Sequence, residues 1–181
     1  MTDESSAPDF GYGHNLMHEA VATGCGVGPV MWDMRHVLPV RTRIIEPEHI
    51  IDCDADARAF NGWEVFEHKK GGHFKWDPRR VIPYLDYEQK KGRGVSGERL
   101  CEKLARKPVL NANALEYLLA YPYLIPKNWG GNNTLFLGTL YLDKEGDLRI
   151  RYLFRCYGRW KGSTTWAERN LDDSFRIAMA A

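Results

Sequence analysis

Residues 134 to 166, TLFLGTLYLDKEGDLRIRYLFRCYGRWKGSTTW, restrict the possible folds more than any other stretch. Two runs rich in Leu, Ile, Phe and Tyr flank the polar turn Asp143-Lys144-Glu145-Gly146-Asp147. A second Gly-bounded turn, Gly158-Arg159-Trp160-Lys161-Gly162, follows. Short β-prone runs separated by turn clusters predict an antiparallel meander. Successive strand residues point to opposite faces. Leu148, Ile150, Tyr152, Phe154 and Cys156 therefore share one face, which reads as buried. Arg149, Arg151, Leu153, Arg155 and Tyr157 share the other, an arginine-lined face that reads as a candidate binding surface.

The rest of the chain is read around that meander. Residues 1–13 read as a disordered tail, and residues 14–40 as a short helix followed by an extended arm. Residues 41–181 read as a single α+β domain, a size sufficient for a real core. His49-Ile50-Ile51 predicts a strand, as does Trp63 to His68, with His73 to Trp76 pairing back onto it as a hairpin. Asp77 followed by Pro78 predicts a capped helix carrying Val81, Tyr84 and Leu85, kinked or shortened by Pro83. Ser96 caps a second helix holding Leu100, Cys101 and Leu104. Asn111 or Asn113 opens a third, with Leu115, Leu118 and Leu119 as its apolar stripe and Pro122 ending it. Residues 171–181 read as a short helix or a frayed end. Helices and strands are segregated, so the expected class is α+β, an antiparallel meander packed by one face on a group of short helices.

The phrases IIDCDAD, GW-x-V-x-EHKKGG-x-FKWDP and KPVLNAN-x-LEYLLA-x-P-x-LIP-x-NW follow in order, and LFLGTLY continues them. This wording resembles a family of small uncharacterised bacterial proteins over Arg43 to Leu171. The chain departs from it at Asp56-Ala57-Arg58-Ala59, where a Pro-containing segment is expected, and in a C-terminal segment less rich in Trp. The resemblance implies common descent; with no activity, ligand or fold attached to that family, it implies no mechanism.

With 25 basic and 24 acidic residues, the chain has no global attraction for polyanions, so any such role falls to local patches. No apolar run reaches the roughly 18 residues that a spanning helix needs. MTDESSAPDF is too acidic and polar for a secretory signal. Cys25, Cys53, Cys101 and Cys156 form no CxxC pair and read as reduced, packed thiols of a cytoplasmic protein.

Three chemistries compete. Asp52, Asp54 and Asp56 alternate after Ile50-Ile51, as carboxylates do where they hold a divalent cation for hydrolysis or group transfer. Ala57 and Trp63 stand where a calcium loop needs Gly and Glu, and the bland reading is that these carboxylates cap loop amides. His14 and His18 have the spacing of paired ligands on one helix face, without the HExxH motif. The third chemistry is binding. Arg149, Arg151, Arg155, Arg159 and Lys161 line the meander beside Tyr157 and Trp160, and Lys69 and Lys70 open a basic stretch that runs to Arg93. Arginine beside aromatic rings suits nucleic acid or a protein partner equally; the bland alternative is a sheet face lying beneath helices. The expectation is therefore a non-catalytic binding module that needs no cofactor. Its binding residues are Lys69, Lys70, Arg149, Arg151, Arg155, Tyr157, Arg159 and Trp160, and a metal-dependent hydrolase or transferase at Asp52, Asp54 and Asp56 is the alternative.

Overall fold

A computed structural model describes residues 48–181. The expectations for residues 1–13 and 14–40 and for the pair His14 and His18 lie outside them. The described strands are β1 (Ile50–Asp52), β2 (Glu64–His68), β3 (His73–Lys75), β4 (Val81–Tyr84), β5 (Val95–Ser96), β6 (Asn133–Leu142), β7 (Leu148–Cys156), β8 (Arg159–Trp166), β9 (Asn170–Leu171) and β10 (Phe175–Ala180). The helices are α1 (Tyr87–Lys90), α2 (Gly97–Lys103) and α3 (Ala112–Ala120). The class is α+β, as expected.

The meander stands as β6-β7-β8, all antiparallel. Its first turn is tied by Asp143, whose Oδ1 accepts from the Glu145 amide at 3.1 Å and the Asp147 amide at 2.8 Å. The second turn is tighter than expected. Only Tyr157 and Gly158 connect the strands, both at positive φ (49° and 77°), while Arg159 to Gly162 already belong to β8. Such two-residue loops match the right-handed twist of the strands they join.

The main sheet has the order β4-β10-β6-β7-β8, with β2 also pairing antiparallel to the far end of β6. Three corrections follow. Residues 171–181, expected as a helix or frayed end, supply β10, which runs parallel to β6 and antiparallel to β4 inside the sheet. The helix expected from Asp77 is instead a single 3-10 turn, Pro78–Arg80, that leads into β4. Asp77 does cap it, accepting from the Arg79 amide at 2.9 Å. Pro83 is tolerated because β4 is an edge strand, where one missing donor costs no ladder bond. A third correction concerns β3, which pairs with β1 rather than with β2.

Where β10 and β6 diverge, residues 108–110 fill the gap. Leu110 N donates to Ala178 O at 2.9 Å, and Gly138 N donates to Leu110 O at 3.0 Å. This brings the start of α3 against β6 at Gly138. A Cβ on Gly138 would stand 2.9 Å from the Asn111 Cα and the Leu110 carbonyl oxygen, so the approach requires glycine.

The sheet is covered on both faces rather than one. Ile51, Trp76, Leu115, Leu118, Trp129, Phe136 and Leu153 form one cluster beneath α3. Val95, Leu100, Leu135, Leu137, Ile150, Leu171 and Ile177 form the other beneath α2. The alternation of Leu135, Phe136 and Leu137 between the two clusters is the period of the strand. Leu115 and Leu118 are fully buried, each removing enough apolar surface for about 1.5–3 kcal/mol. No described helix is long and apolar enough to cross a membrane.

Candidate functional site

The N-terminus of α3 organises one end of the molecule. Asn111 is its N-cap, its Oδ1 accepting from the Ala114 amide at 3.4 Å. Buried at 2% exposure, it also donates from Nδ2 to the Cys53 carbonyl at 2.8 Å and the Lys69 carbonyl at 3.0 Å. Two residues on, Asn113 Nδ2 donates to the carbonyls of Ala55 at 2.7 Å and Asp52 at 3.1 Å. Two asparagines thus pin the Asp52–Asp56 loop and the Lys69 backbone to a helix.

A chain of bonds completes the clamp. The Ala112 amide donates to Thr139 Oγ1 at 3.0 Å, Thr139 Oγ1 meets His68 Nδ1 at 2.8 Å, and His68 Nε2 meets the Ala55 carbonyl at 3.1 Å. A carbonyl can only accept, so Nε2 carries a proton and Nδ1 receives the Thr139 hydroxyl hydrogen. This tautomer suits the Ala112 amide, the Thr139 hydroxyl and the Ala55 carbonyl, and leaves Nε2 facing the Asn111 amide nitrogen at 3.4 Å, donor to donor.

The clamp forms one wall of a cleft of about 600 Å³. Its floor is apolar, made by Phe74, Pro108, Val109, Leu110 and Ala180. Around it stand Lys69, Lys70, Arg106 and Lys107, with no acidic side chain in the lining. Lys69 Nζ donates to the Ala105 carbonyl at 3.4 Å, bridging the two sides. Lys70 is drawn partly away, pairing with Asp56 at 3.2 Å and donating to the Asp54 carbonyl. Arg106 and Lys107 are exposed and have no side-chain hydrogen bond or ion pair among the described residues. Cys53 also lines the cleft; burial foremost, then the carboxylates of Asp52 and Asp54, pushes its thiol up to about 11. A thiol so protonated at neutral pH is a packing group rather than a nucleophile.

The three aspartates lie in one loop, and each is engaged by the protein itself. Asp52 Oδ1 accepts from the amides of Asp54 at 2.9 Å and Ala55 at 3.0 Å. These two bonds, the Asp54 amide first, hold its carboxyl below the ordinary carboxylate range. Asp54 accepts from the Gly72 amide at 2.7 Å, and Asp56 pairs with Lys70. Among the described residues, no three His, Cys, Asp or Glu side chains converge as a metal site would require. The caps account for this loop's shape, as the bland reading anticipates.

The arginine-lined face of β7, whose exposure the sequence left open, is largely covered. Arg149 pairs with buried Asp143 at 2.6 Å and lies between the rings of Trp166, 4.0 Å from its centroid, and Trp63, at 5.6 Å. Arg151 is 4% exposed, bonded to Glu116 of α3 and stacked 4.3 Å from the Phe60 ring centroid. Burial pulls its guanidinium down to about 10, still protonated at neutral pH. Trp160 packs partly buried against the cluster under α3. Arg155, Tyr157 and Arg159 remain exposed, gathered at the β7–β8 turn. The structure thus divides the expected binding residues: Lys69 and Lys70 at the cleft, three at the hairpin tip, and Arg149, Arg151 and Trp160 in internal packing.

Sequence reasoning missed Arg106, Lys107, Phe74 and the two asparagine amides as parts of one site. The signal available was the pair Arg106-Lys107 immediately before Pro108; Pro cannot donate and disfavours helix in the residue before it, so this pair had to lie outside α2. Comparison of the chain with protein-family models, curated proteins and solved structures finds no match.

Proposed function

We propose that this chain is a non-catalytic binding module that takes an anionic partner in the cleft between Lys69-Lys70 and Arg106-Lys107. The observation that carries this reading is the lining: four cations and no carboxylate around an apolar floor, in a chain whose overall charge is only +1. Local concentration of one sign over a low-dielectric floor focuses the field where the net charge cannot. The volume falls within the roughly 300–1,000 Å³ of typical ligand pockets. The asparagine clamp supports the reading by holding the Lys69 backbone in place before any ligand arrives.

Hydrolysis or transfer through a divalent cation at Asp52, Asp54 and Asp56 draws less support, since amides and Lys70 already occupy these carboxylates. Cys53, Cys101 and Cys156 form no disulfide among the described residues, which supports a cytoplasmic, reducing setting. The test is retention on immobilised heparin at low salt, compared with Arg106→Glu/Lys107→Glu. Retention that the double reversal abolishes supports the cleft. Wild-type protein flowing through unretained would sink the reading.

A further inference from the structure

We infer that the partner of the basic cleft is an unpaired nucleic-acid strand, with a base on the apolar floor and flanking phosphates on the lysine and arginine rim. This inference rests on the anion-binding reading above and adds the class of ligand. Its particular support is Phe74. The ring lines the cleft and is half-buried. It meets Trp76 edge-on at 6.2 Å between centroids, and Trp76 meets Trp129 edge-on at 6.3 Å. Trp76 is held in turn by its Nε1 bond to the Leu124 carbonyl at 3.1 Å. The ring at the cleft is therefore backed by a fixed aromatic stack, and stacking on it orders no mobile side chain.

An aromatic platform beside a row of cations is the composition that holds unpaired strands, with rings taking bases and cations taking phosphates. A peptide of acidic residues alone would satisfy the rim and leave the floor and the Phe74 ring without a matching group. A duplex keeps its base faces stacked within the helix, so it offers the rim phosphates and gives the floor nothing. A single strand uses both parts of the cleft. The rim is also built in advance: the Lys69 amide donates to the Gly138 carbonyl at 2.7 Å while its carbonyl accepts from Asn111.

Fluorescence anisotropy of the full chain with a short labelled oligouridylate, and separately with labelled polyglutamate, tests this. Oligouridylate should bind, with log K falling linearly in log salt by about 0.7 per phosphate neutralised. Arg106→Glu/Lys107→Glu should lower affinity more than about tenfold and flatten that slope by roughly 1.4. Phe74→Leu keeps the floor apolar and removes the π face. It should weaken binding about fivefold or more while leaving the slope unchanged. Aminopurine replacing a base should lose fluorescence on binding the wild-type chain, a stacking readout that needs no variant. Polyglutamate binding as tightly as oligouridylate would overturn the inference and leave the anion cleft standing. So would oligouridylate binding that is indifferent to Phe74→Leu and leaves aminopurine bright. If neither probe binds the wild-type chain, both readings fail.

Discussion

The side-chain amide of Asn111 donates to the backbone carbonyl of Cys53 at 2.8 Å, joining residues 58 positions apart. The same amide holds Lys69, and the same side chain caps α3. Asn111→Ala removes the cap and strands two buried carbonyls, so stability should fall by about 2–4 kcal/mol. Asn111→Ser keeps a cap oxygen, loses the two donated bonds and buries no charge, and should cost less, about 1–3 kcal/mol. Urea unfolding of the two variants measures the difference. Equal losses would show that the cap contributes nothing beyond the donated bonds.

Gly138 lies against Leu110 and the N-cap residue of α3. Gly138→Ala places a methyl against backbone, which cannot swing aside as a side chain can. The expected loss is about 1–3 kcal/mol, the range for overpacked sites. Gly146→Ala is the comparison, since its added Cβ meets nothing within 4 Å and only its positive φ is strained. A melting temperature for Gly138→Ala within about a degree of wild type would contradict the wedge at residues 108–110.

Tyr157 is 99% exposed at φ 49°. A tyrosine there has the strain of left-handed backbone and no burial to offset it. Tyr157→Asn should therefore stabilise the fold by up to about 1 kcal/mol, because Asn adopts this region readily. A lower melting temperature for the variant would mean that the ring makes a contact worth more than the strain.

Asp86 caps α1 through the Glu88 amide at 3.0 Å and accepts from Lys103 at 3.0 Å. Burial alone would raise its pKa, but the Lys103 ammonium and the Glu88 amide outweigh burial, and the net direction is down. A depressed folded-state value means the contribution is complete above the unfolded value, about 3.9. It is lost as pH falls through the lower folded value. Asp86→Asn should therefore be less stable than wild type at neutral pH, with the gap closing once the solution is more acid than about pH 4. A gap that persists unchanged in acid would assign the effect to shape rather than charge.

Much of the local structure was legible because its causes lie within a few residues. Ser96 and Asn111 cap helices that begin where they were expected, and Asp143 shapes a turn from inside it. The caps on Asp52 were readable for the same reason: acceptor and amides are two and three positions apart. The period-two pattern of β7 assigned faces correctly, with Ile150 in one cluster and Leu153 in the other.

What only the tertiary structure decided depends on partners far along the chain. Phe175–Ala180 is a strand because β4 and β6 supply its hydrogen bonds. Val81–Tyr84 is a strand because β10 lies beside it, which overrode a good helix start at Asp77 and Pro78. Arg151 is internal because Glu116, on a helix 35 positions earlier, reaches it. Lys69 and Arg106 face one cleft only because the Asn111 clamp and the Pro108–Leu110 wedge bring their loops together. The residue types, caps and periods were set by the sequence itself, since short-range hydrogen bonds and side-chain alternation need no distant partner. Which faces were covered, and which cations met, was settled by long-range pairing that no local window of sequence contains.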